Sequence, residues 1–183
     1  MVLNRRQSGT ESNFTFKQQT VQTASQWVLE WSWPPMTFAE AETTSGWILS
    51  LKGQIGTFRY HPRQRLASAL SGKTLAIQGY AYNDTISVGG WSANAGSGLR
   101  IGQFFQLGDQ LLRIVAAGAN ADAAGKVTIS FEPELRLNYT SGTAVNFANP
   151  SGTFRLSTAD GLGYTLTPDK MPEFGTIQAR EVV

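Results

Sequence analysis

The residues best equipped for chemistry are a carboxylate pair, Glu132 and Glu134, flanking Pro133, and a single histidine, His61. Two carboxylates sharing a face perturb each other's ionisation and can divide general acid and base work between them. This pair follows an apolar alternation ending at Phe131, so we read it as a solvated turn leaving a buried strand. As a catalytic base His61 would need a nucleophile and an orienting carboxylate, and no local motif supplies either. Asp109 in Gly-Asp, Asp122 before Ala-Ala-Gly and Asp160 before Gly are turn residues by type and neighbours. Gly89-Gly90 and Gly96-Ser-Gly98 have the glycine content of phosphate loops. They lack the Lys-Ser/Thr of a P-loop and the dinucleotide fingerprint, so they too read as turns.

Composition narrows the chemistry further. The 183 residues contain no cysteine, which removes disulfides, thiol nucleophiles, zinc ribbons and iron–sulfur sites. One histidine cannot build a multi-histidine metal site. We therefore assign no catalytic residue, no cofactor and no metal, and expect a protein that is not an enzyme. With 15 Lys+Arg against 13 Asp+Glu, the net charge of +2 is too small for electrostatic capture of nucleic acid. Low charge with 11% aromatics fits a β-rich protein that covers much of its surface against partners. No window approaches 18 apolar residues, and the two arginines at the start precede no apolar run. The expectation is a soluble protein made in the cytoplasm without a cleaved signal and without a membrane partner.

The elements that must position these residues are mainly strands. Residues 1–12 are polar and read as a mobile arm or a surface-pinned tail. Phe14 and Phe16 begin a strand-like segment with both rings on one face. Trp27, Leu29, Trp31 and Trp33 alternate as one face of a strand that Pro34-Pro35 ends. One helix is predicted over 37–52. Thr37 and Glu40 form a capping box, Phe38, Ala41, Ser45 and Ile48 line its inner face, and Gly53 is the glycine after its end. A strand at Ile55–Tyr60 follows.

Between Gly72 and Gly125 lie ten of the 19 glycines, among short strands separated by turns. The predicted strands are Thr74–Tyr82, Thr85–Ser87, Phe104–Leu107, Leu111–Ala117, Lys126–Phe131 and Ala144–Phe147. Gly108-Asp109 is expected to turn a hairpin. This spacing suggests a small barrel or sandwich. Strands at Thr153–Ser157 and Thr176–Val183 then return to the sheets of the first third. The fold class is thus mainly β: a β-sandwich flanked by one α-helix, with an inserted small barrel. The expected domains are residues 1–12 as an arm, 13–62 plus 152–183 as one discontinuous domain, and 63–151 as the insertion.

Candidate binding residues fall in two places. Trp27, Trp31, Trp33 and Trp47 suit either a sugar-binding platform or, as strand and helix periodicity both favour, a core. Trp33 beside Pro34 and Pro35 is the ring most suited to an interface. Arg59, His61, Arg63 and Arg65 make a modest basic patch near the start of the insertion, which reads as a solvated junction or, alternatively, as a contact for an acidic neighbouring subunit. Trp91 is a further candidate for contact with a glycan.

Several segments recur in a recognisable order. They are Trp27-Val-Leu-Glu-Trp-Ser-Trp-Pro-Pro-Met36, Ala39, Ala41 and Trp47, then Leu49-Ser-Leu-Lys-Gly-Gln-Ile-Gly-Thr-Phe58. Gly102-Gln-Phe-Phe-Gln-Leu107, Ala121-Asp-Ala-Ala-Gly125 and Phe131-Glu-Pro-Glu-Leu135 follow. Asn149-Pro-Ser-Gly-Thr-Phe-Arg-Leu156 and Gln178-Ala-Arg-Glu181 close the series. Over residues 25–181 the chain resembles tail proteins of long-tailed bacteriophages and prophages, similar to the distal tail protein. The resemblance implies a virion structural protein forming a ring, generally hexameric, at the lower end of the tail tube. Such a ring joins the tube to the tip or baseplate hub and surrounds the DNA channel. It implies a tail-tube type sandwich for the ring and an outer barrel or sandwich, with tube and hub proteins as partners and DNA only in transit. It carries no catalytic residue onto this sequence. The alternative expectation is a carbohydrate-binding module of the tail tip that aids host attachment.

Overall fold

The computed structural model describes residues 1–64, 70–158 and 163–182, with only the backbone of 21–23. Period-two stretches become strands and the one capped stretch becomes the helix, giving the mainly β class expected from the sequence. In chain order β1 (Val2–Glu11), β2 (Gln18–Trp31), α1 (Phe38–Ser50) and β3 (Phe58–Tyr60) come first. Then follow β4 (Lys73–Leu75), β5 (Thr85–Gly89), β6 (Phe104–Leu107), β7 (Gln110–Ala117), β8 (Lys126–Glu132) and β9 (Ala144–Asn146). The chain ends with β10 (Gly152–Leu156), β11 (Tyr164–Leu166), β12 (Pro172–Phe174) and β13 (Ile177–Glu181). Two compact units emerge, one from Met1–Phe58 with Phe154–Glu181 and the other chiefly from Arg59–Thr153. Among the described residues, no helix is long and apolar enough to cross a membrane.

The first unit is built on a five-stranded sheet ordered β1-β2-β13-β10-β3. Its centre is long-range: Ile177–Arg180 pair with Trp31–Val28, and Phe154–Leu156 pair with Glu181–Ala179. Alternation buries Trp27 and Leu29 on β2, Phe154 and Leu156 on β10, and Ile177 and Ala179 on β13. A small sheet, β11-β12, brings Phe174 into the same aromatic set.

The helix forms where its cap demands. The Thr37 hydroxyl accepts from the Glu40 backbone N–H at 3.4 Å, and the Glu40 carboxylate accepts from the Thr37 N–H at 2.9 Å. Each bond satisfies a first-turn donor that the helix itself leaves open. The C-terminal end differs from the expectation. Leu51 is the cap, and Lys52 itself takes the left-handed conformation (φ 49°) before Gly53 (φ 64°). The next tight point is Gly56, whose N–H donates to the Leu51 carbonyl at 2.7 Å and where a Cβ would strike the Leu51 backbone. That loop leaves Ile55 exposed and delays β3 to Phe58. Only Ala41 and Ile48 of α1 are buried; Phe38, expected on the inner face, is exposed.

The chain's beginning requires two corrections. Residues 2–11 are not a mobile arm or tail: they are strand β1, paired residue by residue from Val2↔Val28 to Glu11↔Gln18 with a bulge after Arg6. Polar alternation without an apolar face hid this strand, because the period-two signal depends on one buried side. Phe14 and Phe16 do not begin a strand. They sit in the connection between β1 and β2, both exposed, with Phe16 at φ 52°.

The second unit is a closed barrel ordered β4-β5-β8-β7-β6-β9. Phe105, Phe131 and Phe147 fill it together with Leu75, Val88, Leu107, Leu112, Ile114 and Ile129. Phe105 meets Phe131 edge-on at 5.6 Å and lies tilted against Phe147 at 5.4 Å. Leu107 and Gln110 close the hairpin across Gly108-Asp109, with Gly108 at φ 59°. Asp122 also turns the chain as expected, its Oδ1 accepting from the Ala124 and Lys126 N–H groups at 2.8 Å each. The strand expected over Thr74–Tyr82 stops at Leu75, and the remainder forms turns toward β5.

The capping box yields a pH-dependent stability. A hydrogen bond from the Thr37 backbone, then one from its hydroxyl, holds the Glu40 carboxyl below its ordinary value. A depressed carboxyl stabilises the folded state above the unfolded value and loses that effect as pH falls through the folded value. Thr37→Ala should lower stability by about 1 kcal/mol at neutral pH. Glu40→Gln should be less stable than wild type near pH 7, with the gap closing as acid titrates wild-type Glu40. Urea unfolding followed by circular dichroism, repeated down the pH scale, measures both.

Candidate functional site

The candidate residues divide between the two units. In the sheet unit, Trp33 is half-buried between Trp31 (5.8 Å), Trp47 (6.3 Å) and Phe174 (5.5 Å), each pair edge-to-face. Trp47 and Trp31 each reach Phe58, which stacks on Phe154. These rings join the helix, the small sheet and the large sheet into one cluster; Trp27 is buried as a core residue, Trp31 and Trp33 are half-buried, and Trp47, expected to point inward, is 37% exposed. Pro34 and Pro35 are exposed beside it, and the Met36 N–H donates to the Pro172 carbonyl at 3.0 Å.

In the barrel unit, Arg59, His61 and Arg63 are all exposed. Arg65 and Asp160 lie outside the described residues. Arg59 donates to Asp109 Oδ1 at 2.6 Å and to Ser151 Oγ at 3.0 Å. Ser151 in turn donates to Gln106 Oε1 through its N–H at 3.0 Å and its hydroxyl at 3.2 Å. The charge of Arg59 is therefore met within its own unit, by a residue whose sequence context showed only a turn. Both partners are more than half exposed (52% and 63%), so water screens the pair heavily.

The carboxylate pair is not a solvated turn. Glu132 and Glu134 are half-buried and alternate with buried Phe131, Pro133 and Leu135. The segment is anchored by Gln110, fully buried, whose Nε2 donates to the Glu134 carbonyl at 2.7 Å and whose Oε1 accepts from the Arg136 N–H at 3.1 Å. Among the described residues no group of three or more His, Asp or Glu side chains gathers to hold a metal ion.

Trp91 sits in the barrel as a packing ring. Its Nε1–H donates to the Ser97 carbonyl at 3.0 Å, and the Lys73 ammonium lies 4.5 Å from the ring centroid. Lys73 is itself buried and donates to the Gly90 carbonyl at 2.6 Å. Gly125 is required beside it, since at φ 71° its absent Cβ leaves room for the Trp91 carbonyl oxygen. The indole thus has its N–H bonded and the Lys73 ammonium over its ring.

Other surface residues escaped the sequence reading. On the barrel unit Tyr80 and Tyr82 are exposed, and Tyr82 holds φ 69°. On the sheet unit Phe14, Phe16, Phe38 and Leu49 are exposed. Phe14 and Phe16 had a usable signal, two rings set among the turn-forming residues Ser12, Asn13 and Thr15. Tyr82 had none, because its unusual φ follows from tertiary hydrogen bonds. Neither a protein-family model nor a curated protein matches the chain.

Trp91→Phe should keep the ring and lose its bond to Ser97. Thermal unfolding of the barrel should show a loss of about 1 kcal/mol. A stability change near zero would mean that the indole N–H does no structural work.

Proposed function

We propose that this chain is a structural virion protein of a long-tailed phage. In this reading it forms a ring, of the hexameric kind the resemblance implies, at the distal end of the tail tube. The ring links tube to tip or baseplate hub and surrounds the DNA channel. The observation that carries the reading is the β1–β2 ribbon. Beyond Ser25, the described pairing of β2 is with β1 alone, and the ribbon continues for about 20 Å. Every β1 residue from Asn4 to Glu11 is exposed, as are Gln18, Gln19 and Thr20. A two-stranded ribbon whose described side chains beyond Ser25 are exposed on both faces is marginal alone in water, so a permanent neighbour gives it a reason to persist. A ring of identical subunits supplies that neighbour and covers sheet edges at the same time. The net charge of +2 suits a lumen that lets DNA pass without holding it.

Native mass spectrometry and negative-stain microscopy of the purified chain should show a closed ring, and antibodies against it should label the tail tip. A monodisperse monomer at all concentrations that never labels tails would refute the assignment.

A second reading, glycan binding by the barrel unit, is favoured by Tyr80 and Tyr82. An exposed aromatic at positive φ is strained, and such outliers concentrate at binding sites. The segment is fixed by the Tyr82 N–H on the Leu135 carbonyl at 2.6 Å and by Asn138 Oδ1 accepting from the Ala81 N–H at 2.8 Å. On a glycan array, signal that disappears in Tyr82→Ser but survives in Trp91→Phe would support it. A silent array for the wild-type chain counts against it.

A further inference from the structure

Among the exposed apolar features in the described residues of the sheet unit, two have complementary chemistry. The first is the ribbon's tip. Phe14 is 96% exposed and Phe16 is 76% exposed. The Phe16 N–H donates to the Ser12 carbonyl at 2.8 Å, and the Ser12 N–H to the Lys17 carbonyl at 3.1 Å. These bonds fix the turn that projects both rings, and they set Phe16 at φ 52°, a conformation that bulky residues rarely adopt. Lys17 follows and is also exposed.

The second feature is the outer face of α1. At 100° per residue, Phe38, Glu42, Gly46 and Leu49 fall within one arc of about 80°, over a length of about 16 Å. Phe38 and Leu49 are 53% and 73% exposed, and Glu42 and Gly46 are exposed between them. A glycine inside a helix weakens it relative to alanine. A Cβ at Gly46 would meet nothing within 4 Å, so packing inside the unit does not account for the glycine. It leaves a notch in an apolar face.

We propose that the ribbon tip of one copy docks across this notch on α1 of the next copy. Phe14 and Phe16 cover Leu49 and Phe38, and Lys17 faces Glu42. Tip and notch are different surfaces of one chain, so the contact is head-to-tail, and such contacts close into rings when the rotation permits. The Lys17–Glu42 match gives it a direction and disfavours tip-to-tip and helix-to-helix pairings. This interface rests on the ring reading above and deepens it by naming the surfaces that join.

The chain has no cysteine, so cysteines can be placed without background. Asn13→Cys combined with Ala39→Cys, exposed positions beside the tip rings and the notch that leave Phe14 and Gly46 in place, should give a denaturing-gel ladder from dimer to full ring when treated with a short bismaleimide. Either single variant should stop at dimer at most. Independently, Glu42→Lys should weaken assembly at least tenfold by native mass spectrometry, and adding Lys17→Glu should restore it. These exposed exchanges test the contact even if the cysteine pair folds poorly. A wild-type ring with neither ladder nor charge-swap rescue overturns this docking and leaves the ring reading intact. A wild-type chain that is always monomeric overturns both.

Discussion

The pairing of β13 with β2 is the constraint on which the sheet unit depends. Ile177 to Arg180 lie opposite Trp31 to Val28, so the last strand supplies the centre of a sheet begun near the start of the chain. Closing a loop of that length costs about 2 kcal/mol more in chain entropy than closing one of ten residues. Burial of Trp27, Leu29, Ile177 and Phe154 offsets this, at roughly 1.5–3 kcal/mol for each large apolar side chain. β10 pairs with β13 beside it, and the intervening segment closes its own sheet. The barrel does so with six strands, leaving no unpaired edge of its own.

The aromatic cluster then fixes how the helix meets that sheet. Phe58 stands on β3, Phe154 on β10, Trp31 on β2 and Phe174 on β12, while Trp47 comes from α1. Edge-to-face rings add roughly 0.5–1.5 kcal/mol per pair beyond area burial, and their geometry is directional. This explains how α1 holds its place with only Ala41 and Ile48 buried. The rings grip one flank of the helix, and its opposite flank needs no intramolecular partner.

Sequence made most of this architecture legible, for physical reasons that also mark where it stopped. The capping box at Thr37 and Glu40, the Gly108-Asp109 hairpin and the buried alternation of Val127, Ile129 and Phe131 are local signals, and local physics produced them. β1 was invisible because its side chains are polar on both faces, and only register with β2 makes it a strand. Phe38 was misplaced because helical periodicity gives a face without saying which face meets the core. The Arg59–Asp109 pair and the Lys73–Trp91 contact join positions far apart or in different strands, where no spacing rule applies. The candidate surfaces were least legible, since exposure is a property of the assembled fold. Trp91 and Trp33 are each half-buried, with one side packed on neighbouring rings or Lys73.

The two units also differ in where their apolar surface goes. The barrel encloses Phe105, Phe131, Phe147, Leu107 and Leu112 completely and leaves Ile77, Tyr80, Tyr82, Ile101, Val115 and Leu137 exposed. The sheet unit leaves Phe14, Phe16, Phe38, Leu49 and Ile55 exposed on a ribbon tip, a regular helix and its exit loop. Burying any one of them would gain roughly 1.5–3 kcal/mol, yet the unit's own fold reaches none. A chain with only 15% charged residues has little repulsion to keep such surfaces apart. Both units therefore carry apolar surface outward, the sheet unit on a ribbon tip and a helix, the barrel on its turns and bends and on β7. The barrel nevertheless fills its core and closes its sheet within one chain.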